Sequence, residues 1–219
     1  MPGEWLLFQN PKQFFIELVV ILLSITLHEF GHALAADRLG DDTPRRQGRL
    51  SLRPDRHFDP LGLLMIFIVL NAGIGLGWGK PVQVDSRNFR NPRRDMLIVA
   101  ICGPLMNLLL GVVGGLILRF TLTSRPEDWL ATGGGRFLLT LVLVNFSLMF
   151  FNLIPLPPLD GSKILGALLP PQLAWRYTSA MSRYGMMILL LIAFVAPQVI
   201  FWIVGPPTQW LVGVVVGLG

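Results

Sequence analysis

Four long apolar stretches, at about residues 14–36, 96–120, 135–154 and 184–204, decide what this chain can fold into. At ~1.5 Å of rise per helical residue, each reaches across a hydrocarbon core ~30 Å thick. Inside such a core every backbone N–H and C=O has to be satisfied within the protein, so each stretch must be a helix. The rest of the chain agrees: of 219 residues, 53% are hydrophobic and only 14% charged, too oily for an ordinary soluble domain. The expected fold class is all-α, a polytopic membrane protein built as a helical bundle with the lipid bilayer as its solvent.

A fifth run, 61–77, is shorter and ends in "NAGIGLGWG", where repeated glycines loosen a helix. Charge decides how it is read. The loop before it carries Arg38, Arg45, Arg46, Arg49, Arg53 and Arg56, and the loop after it carries Lys80, Arg87, Arg90, Arg93 and Arg94. A full crossing would put these loops on opposite sides, against the bias that gathers Lys and Arg on the cytoplasmic face. A re-entrant or peripheral segment is therefore expected. Both basic loops are then cytoplasmic, 121–134 and the N-terminus face outward, and 155–183, with Lys163, Arg176 and Arg183, returns to the cytoplasm. The formal charge of +5 reflects this loop bias, and no nucleic-acid partner is expected.

Shorter signals complete the plan. Polar and apolar residues alternate over 47–52 and 80–85, which predicts short strands and a small cytoplasmic-side β element. The tail from Trp210 is too short to cross alone. The N-terminus has no basic n-region leading into a short apolar core, so the first stretch is expected to stay in the mature protein. The single cysteine, Cys102, reads as a buried thiol in an apolar run. The sequence shows no internal repeat and assigns no oligomeric state. A single membrane-embedded unit over 1–219 is expected, with a core at about 14–165 and C-terminal hydrophobic segments at about 184–219.

Chemistry enters with "SITLHEFGHALAAD", at the end of the first span. His28 and His32 stand four residues apart, so on a helix they lie about 40° apart in azimuth and one turn apart in height, able to grip one ion. Glu29 sits between them. This is the H-E-x-x-H pattern of zinc hydrolases, in which neutral imidazoles ligate, the metal acidifies water, and the carboxylate takes and returns the proton. Ionisable groups within a membrane helix cost ~2.5–3.5 kcal/mol each on insertion scales, so three without a purpose are improbable. His32 falls about 6 Å and His28 about 12 Å before Ala36, which predicts a shallow site near the cytoplasmic face. Small residues on the same segment, Ser24, Gly31, Ala33, Ala35 and Ala36, suit close helix packing.

A catalytic zinc site usually takes three protein ligands. His57, the remaining histidine, lies in a basic loop and reads as solvated or turn-stabilising. Asp37 is too close along the same helix to swing back. Asp160, in "FNLIPLPPLDGSK", is the better candidate: Pro155, Pro157 and Pro158 end the third span and force an extended segment able to return a carboxylate to the cytoplasmic side. One Zn2+ held by His28, His32 and Asp160 is the expected cofactor.

"HEFGH" on a membrane helix, "GPLMN" at 103–107 on a middle helix, and "NLIPLPPLDG" downstream together resemble the site-2 protease family of zinc intramembrane metalloproteases, over about residues 24–165. The chain resembles the compact subgroup, without a PDZ or CBS domain. The resemblance implies zinc ligation by His28, His32 and Asp160, Glu29 as general acid/base, and Asn152 in contact with the substrate or the developing oxyanion. An amide donor at Asn152 would suit that charge, as it would a helix end before Pro155. Asn107 and Asn145 are expected to bond across helices, and Gly103 with Pro104 to shape packing or a kink.

The function so implied is endopeptidase cleavage of transmembrane or membrane-proximal segments of membrane proteins, the partner being a substrate helix that unwinds before attack. The segments 47–52 or 80–85 would hold it by strand addition. The rivals are a metal-binding membrane transporter and a non-catalytic scaffold. A transporter calls for polar residues along a path and often for repeated halves, and neither is visible.

Overall fold

The computed structural model describes residues 6–72, 75–124 and 129–217, and among these it is all-helical. A short α1 (Leu6–Gln9) leads into α2 (Pro11–Arg38). The start of α2 is set by Asn10, whose side chain accepts from the Gln13 N–H at 3.1 Å, and by Pro11, whose missing donor costs nothing at the first helical position. A loop holding α3 (Thr43–Arg46) and a 3-10 turn (Pro54–Arg56) precedes α4 (Pro60–Ala72). Then come α5 (Pro92–Ser124), α6 (Gly133–Asn152), α7 (Asp160–Leu168), α8 (Pro171–Val195) and α9 (Pro197–Val212), the last continuing into a π-helical turn over Gly213–Gly217.

Five of these helices, α2, α5, α6, α8 and α9 with its π turn, are long and apolar enough to cross a membrane, one more than the four expected. The difference lies in the 184–204 stretch. It breaks at Ala196, whose φ of −137° and ψ of 56° leave the helical region because the ring of Pro197 crowds the residue before it. α8 instead extends back through 171–183, expected as a loop, and α9 takes in the tail expected to be too short to cross.

The small β element is also absent: no strand occurs among the described residues. The 47–52 segment turns through Gly48, at φ 68°, and meets the 80–85 segment through side chains. Gln47 donates to Gln83 at 2.7 Å, and the Arg49 guanidinium donates to the Lys80 and Pro81 carbonyls, so no backbone ladder is needed between them.

α4 has 13 residues, about 20 Å of helix, too short to cross. The chain then doubles back along it, with Gly77 against Ile66 and Gly62 against the Trp78 carbonyl. Lys80 N–H donates to the His57 carbonyl at 2.7 Å, so this excursion begins and ends at one level. The two arginine-rich loops accordingly lie on one side of the molecule.

α5 is the central helix, packed on α2, α6 and α7, while α9 closes against α6. Leu118, Val142, Phe146, Val212 and Val216 form the largest buried apolar cluster, where α5, α6 and the C-terminal segment meet. Facing away from it along α5, Ile101, Leu105, Leu109, Val113, Leu116 and Phe120 are exposed. A stripe of this length suits lipid rather than water.

Candidate metal centre

α2 turns Ser24, His28 and His32 inward, toward α5. The two helices approach closely because each supplies a glycine at the crossing. A Cβ on Gly31 would stand 2.6 Å from Met106 Cγ and 2.8 Å from the Cys102 carbonyl oxygen. A Cβ on Gly103 would stand 2.3 Å from His32 Nε2 and 2.8 Å from His28 Cε1. Gly103 therefore forms the wall against which both imidazoles lie. Its sequence reading as a packing or kink residue missed this, and its place in "GPLMN" is the signal that could have found it.

The rings are oriented from behind. His28 Nδ1 is 2.6 Å from Asn107 Oδ1, and His32 Nδ1 is 2.8 Å from the Val99 carbonyl oxygen. Both partners are acceptors, so each Nδ1 carries its proton and each Nε2 offers a lone pair to the space between the helices. Asn107 is itself fixed: its amide donates to Asn145 Oδ1 at 2.9 Å, Asn145 donates to Ser24 Oγ at 2.8 Å, and Ser24 donates to the Val20 carbonyl at 2.7 Å. These groups are fully buried and link α2, α5 and α6 in one polar chain. Asn107 and Asn145 thus bond across helices, as their sequence positions suggest.

Asp160 comes from the other end of the fold. The segment between α6 and α7 is a run of turns rather than the extended chain expected: Leu156 N–H reaches the Ile154 carbonyl at 2.8 Å and Leu159 N–H the Leu156 carbonyl at 2.9 Å. Asp160 is the first residue of α7, where a carboxylate is favoured by the helix dipole. Its Oδ2 lies 3.1 Å from both His28 Nε2 and His32 Nε2, and its Oδ1 accepts from Lys163 Nζ at 3.1 Å. Burial opposes ionisation of Asp160, but the adjacent rings of His32 and His28, when they carry a proton on Nε2 as well, outweigh it and hold the carboxyl well below its usual range.

The two Nε2 atoms are also 3.1 Å apart, so the three ligand-type atoms form a nearly equilateral triangle. Ligands at roughly 2.0–2.1 Å from a tetrahedral zinc stand about 3.3 Å from one another. Two imidazoles and one carboxylate at this spacing fit that ion.

A cleft of about 290 Å³ opens beside the triangle, and Glu29, Asn152, Pro81, Val82 and Lys163 are among its walls. Glu29 Oε2 accepts the Val82 N–H at 3.0 Å. Asn152, the last residue of α6, lines the cleft while its amide donates to the Leu148 carbonyl at 2.9 Å, one turn back. His57 lies apart from the triangle, fully buried, with Nε2 2.7 Å from the Ser51 carbonyl oxygen; it holds the turn.

Residues 123–193 match the model of peptidase family M50. The chain is 39% identical over 182 residues to "Putative zinc metalloprotease YwhC" of Bacillus subtilis (strain 168), covering 82% of this chain and 80% of the relative. It is 36% identical over 193 residues to "Putative zinc metalloprotease Rip2" of Mycobacterium tuberculosis (strain ATCC 25618 / H37Rv), covering 87% and 70%. With "Zinc metalloprotease MJ0392" of Methanocaldococcus jannaschii the identity is 26% over 151 residues, 69% of this chain and 33% of the relative. No solved structure matches the chain.

Proposed function

Since the chain belongs to peptidase family M50, the site-2 proteases, and is a zinc metalloprotease, we propose that it is an intramembrane endopeptidase cutting transmembrane or membrane-proximal segments of membrane proteins. In this reading His28, His32 and Asp160 hold the ion within a catalytic core at about 14–165. Zinc, when bound, supplies the Lewis acidity that makes water nucleophilic near neutral pH. Glu29 removes the proton from the attacking water and delivers it to the leaving amine. Val82 N–H holds one Glu29 oxygen, which leaves the other to carry the proton. Asn152, on the cleft wall, turns its amide from Leu148 toward the developing oxyanion.

The observation that carries the reading is the 3.1 Å triangle of two imidazoles and a carboxylate with Glu29 on the wall of the same cleft. A membrane substrate is supported by a second, apolar cavity of about 390 Å³, bordered by α2, α4, α6 and α9, which shares Ile25, Leu76, Gly77, Leu148 and Phe151 with the cleft. An apolar segment arriving from the bilayer would pass from one to the other and unwind at the polar end. The 80–85 segment contributes to the cleft wall and would steady the unwound chain, whereas no residue of 47–52 borders the cleft. With both arginine-rich loops cytoplasmic, the site lies near the cytoplasmic face of the plasma membrane.

Glu29→Gln tests this. In proteoliposomes with a labelled transmembrane substrate, it should slow cleavage about 10²- to 10⁴-fold with zinc content unchanged. Cleavage by Glu29→Gln at the wild-type rate would remove Glu29 as the base, whereas a wild type that binds zinc and cleaves nothing would point to a transporter or scaffold that holds the metal without hydrolysis.

A further inference from the structure

Arg49 reads in sequence as one more charge in a basic loop, yet it is only 4% exposed. Its guanidinium donates to backbone carbonyls: that of Arg56, that of Lys80 at 3.3 Å and that of Pro81 at 3.4 Å. A buried cation satisfied by carbonyls alone still lacks a counter-charge. The acid whose charge reaches it is Glu29.

The link between the two is one peptide group. Pro81 C=O faces Arg49, and the N–H of the same trans peptide, on Val82, donates to Glu29 Oε2 at 3.0 Å. A trans peptide points its C=O and N–H in opposite directions, so cation, peptide dipole and carboxylate fall in sequence. A cation on the carbonyl polarises the peptide and strengthens its N–H as a donor. Close approach is built in: a Cβ on Gly79 would stand 2.5 Å from Ile25 Cγ2 and 3.1 Å from the His57 carbonyl oxygen, so only glycine lets this segment lie against α2.

We infer that Arg49 is a positioning residue for Glu29, acting through the 81–82 peptide to fix one carboxylate oxygen and leave the other free. The inference rests on the proposed role of Glu29 as the base. Without the guanidinium, the segment keeps Lys80 N–H to the His57 carbonyl and Gln47 to Gln83, but nothing polarises or aims the Val82 N–H.

The test uses the full chain in lipid nanodiscs: wild type, Glu29→Gln, Arg49→Met and Arg49→Ala. Hydrogen exchange over 79–85 is measured together with zinc stoichiometry and with steady-state cleavage of a fluorophore–quencher transmembrane peptide. Arg49→Met should speed exchange at the Val82 amide about tenfold or more and lower kcat about 10- to 100-fold, with KM and zinc little changed. Millimolar guanidinium should restore part of kcat in Arg49→Ala, which a generally weakened fold would not allow. Unchanged Val82 exchange and kcat would overturn the inference, as would loss of zinc without rescue. If the wild type cleaves no probe, the proteolytic reading fails separately, while the exchange data still decide whether Arg49 holds the Val82 N–H.

Discussion

Gly103→Ala probes how the metal centre is walled. The added methyl carbon would lie 2.3 Å from His32 Nε2, 2.4 Å from His32 Cε1 and 2.8 Å from His28 Cε1. Comfortable contact between such atoms begins near ~3.5 Å, so the overlap is about 1.2 Å. Overpacking of this kind costs about 1–3 kcal/mol whichever way it is relieved. Parting α2 from α5 is resisted by Gly31 packed on the Cys102 carbonyl. Turning the His32 ring gives up its 2.8 Å bond to Val99 and moves Nε2 out of the triangle. Zinc sites tolerate errors of about 0.2 Å in ligand distance, so affinity should fall about 10- to 100-fold, or ~1.4–2.8 kcal/mol. Gly111→Ala on the same helix is the control, since its Cβ would meet Phe146 Cε1, also at 2.3 Å, in the apolar core. Competition with a chromophoric chelator reads zinc affinity, and thermal unfolding reads stability. Both variants should unfold earlier, and only Gly103→Ala should loosen zinc. Wild-type zinc affinity in Gly103→Ala, or equal loosening in Gly111→Ala, would refute the assignment of Gly103 to the wall.

Two other perturbations test the supports of the site. Asn107→Ala removes the acceptor 2.6 Å from His28 Nδ1 and strands Asn145, so zinc affinity should drop about 10- to 100-fold and stability by about 1–3 kcal/mol; chelator competition that finds affinity unchanged would mean the ring is set by something else. Asp41, fully buried just past α2, accepts from Thr43 and Asn88 at Oδ1 and from the Asp85 N–H at Oδ2, tying α2 to the approach of α5. Burial pushes its carboxyl up, but these donors outweigh that and lower it below the ordinary 3.8. Its charge therefore stabilises the fold above pH ~4, and that contribution is lost as pH falls through the lowered folded-state value. Asp41→Asn should cost about 1–3 kcal/mol at pH 7, with the gap to wild type narrowing below pH ~4; a gap independent of pH in denaturant titrations would exclude the carboxylate as its source.

How much was legible without coordinates differs by element. The long helices were, because lipid leaves an apolar stretch no alternative to internal hydrogen bonding. The break at Ala196 was not, although Pro197 stood in view, because hydropathy runs unbroken across it while backbone geometry does not. Alternation over 47–52 and 80–85 suggested strands, but alternation records which side chains share a face, and a ladder also needs a partner backbone; here Gln47 and Arg49 side chains take that place. Asn107 could be recognised as a polar residue bonding across helices, but not as the acceptor that sets the tautomer of His28.

What the sequence determined by itself is therefore local: which stretches must be helices, that His28 and His32 share a helix face, that Glu29 lies between them, and that prolines end α6 shortly before a carboxylate. Each follows from chain geometry over a few residues. Only the tertiary structure decided that Asp160 reaches both rings, that Gly103 is their wall, and that Arg49, a loop cation by sequence, is buried one peptide away from Glu29. Those relations depend on how α2, α5, α7 and the 79–85 segment are rotated and set against one another, and close packing of many side chains at once fixes that, not any one stretch of sequence.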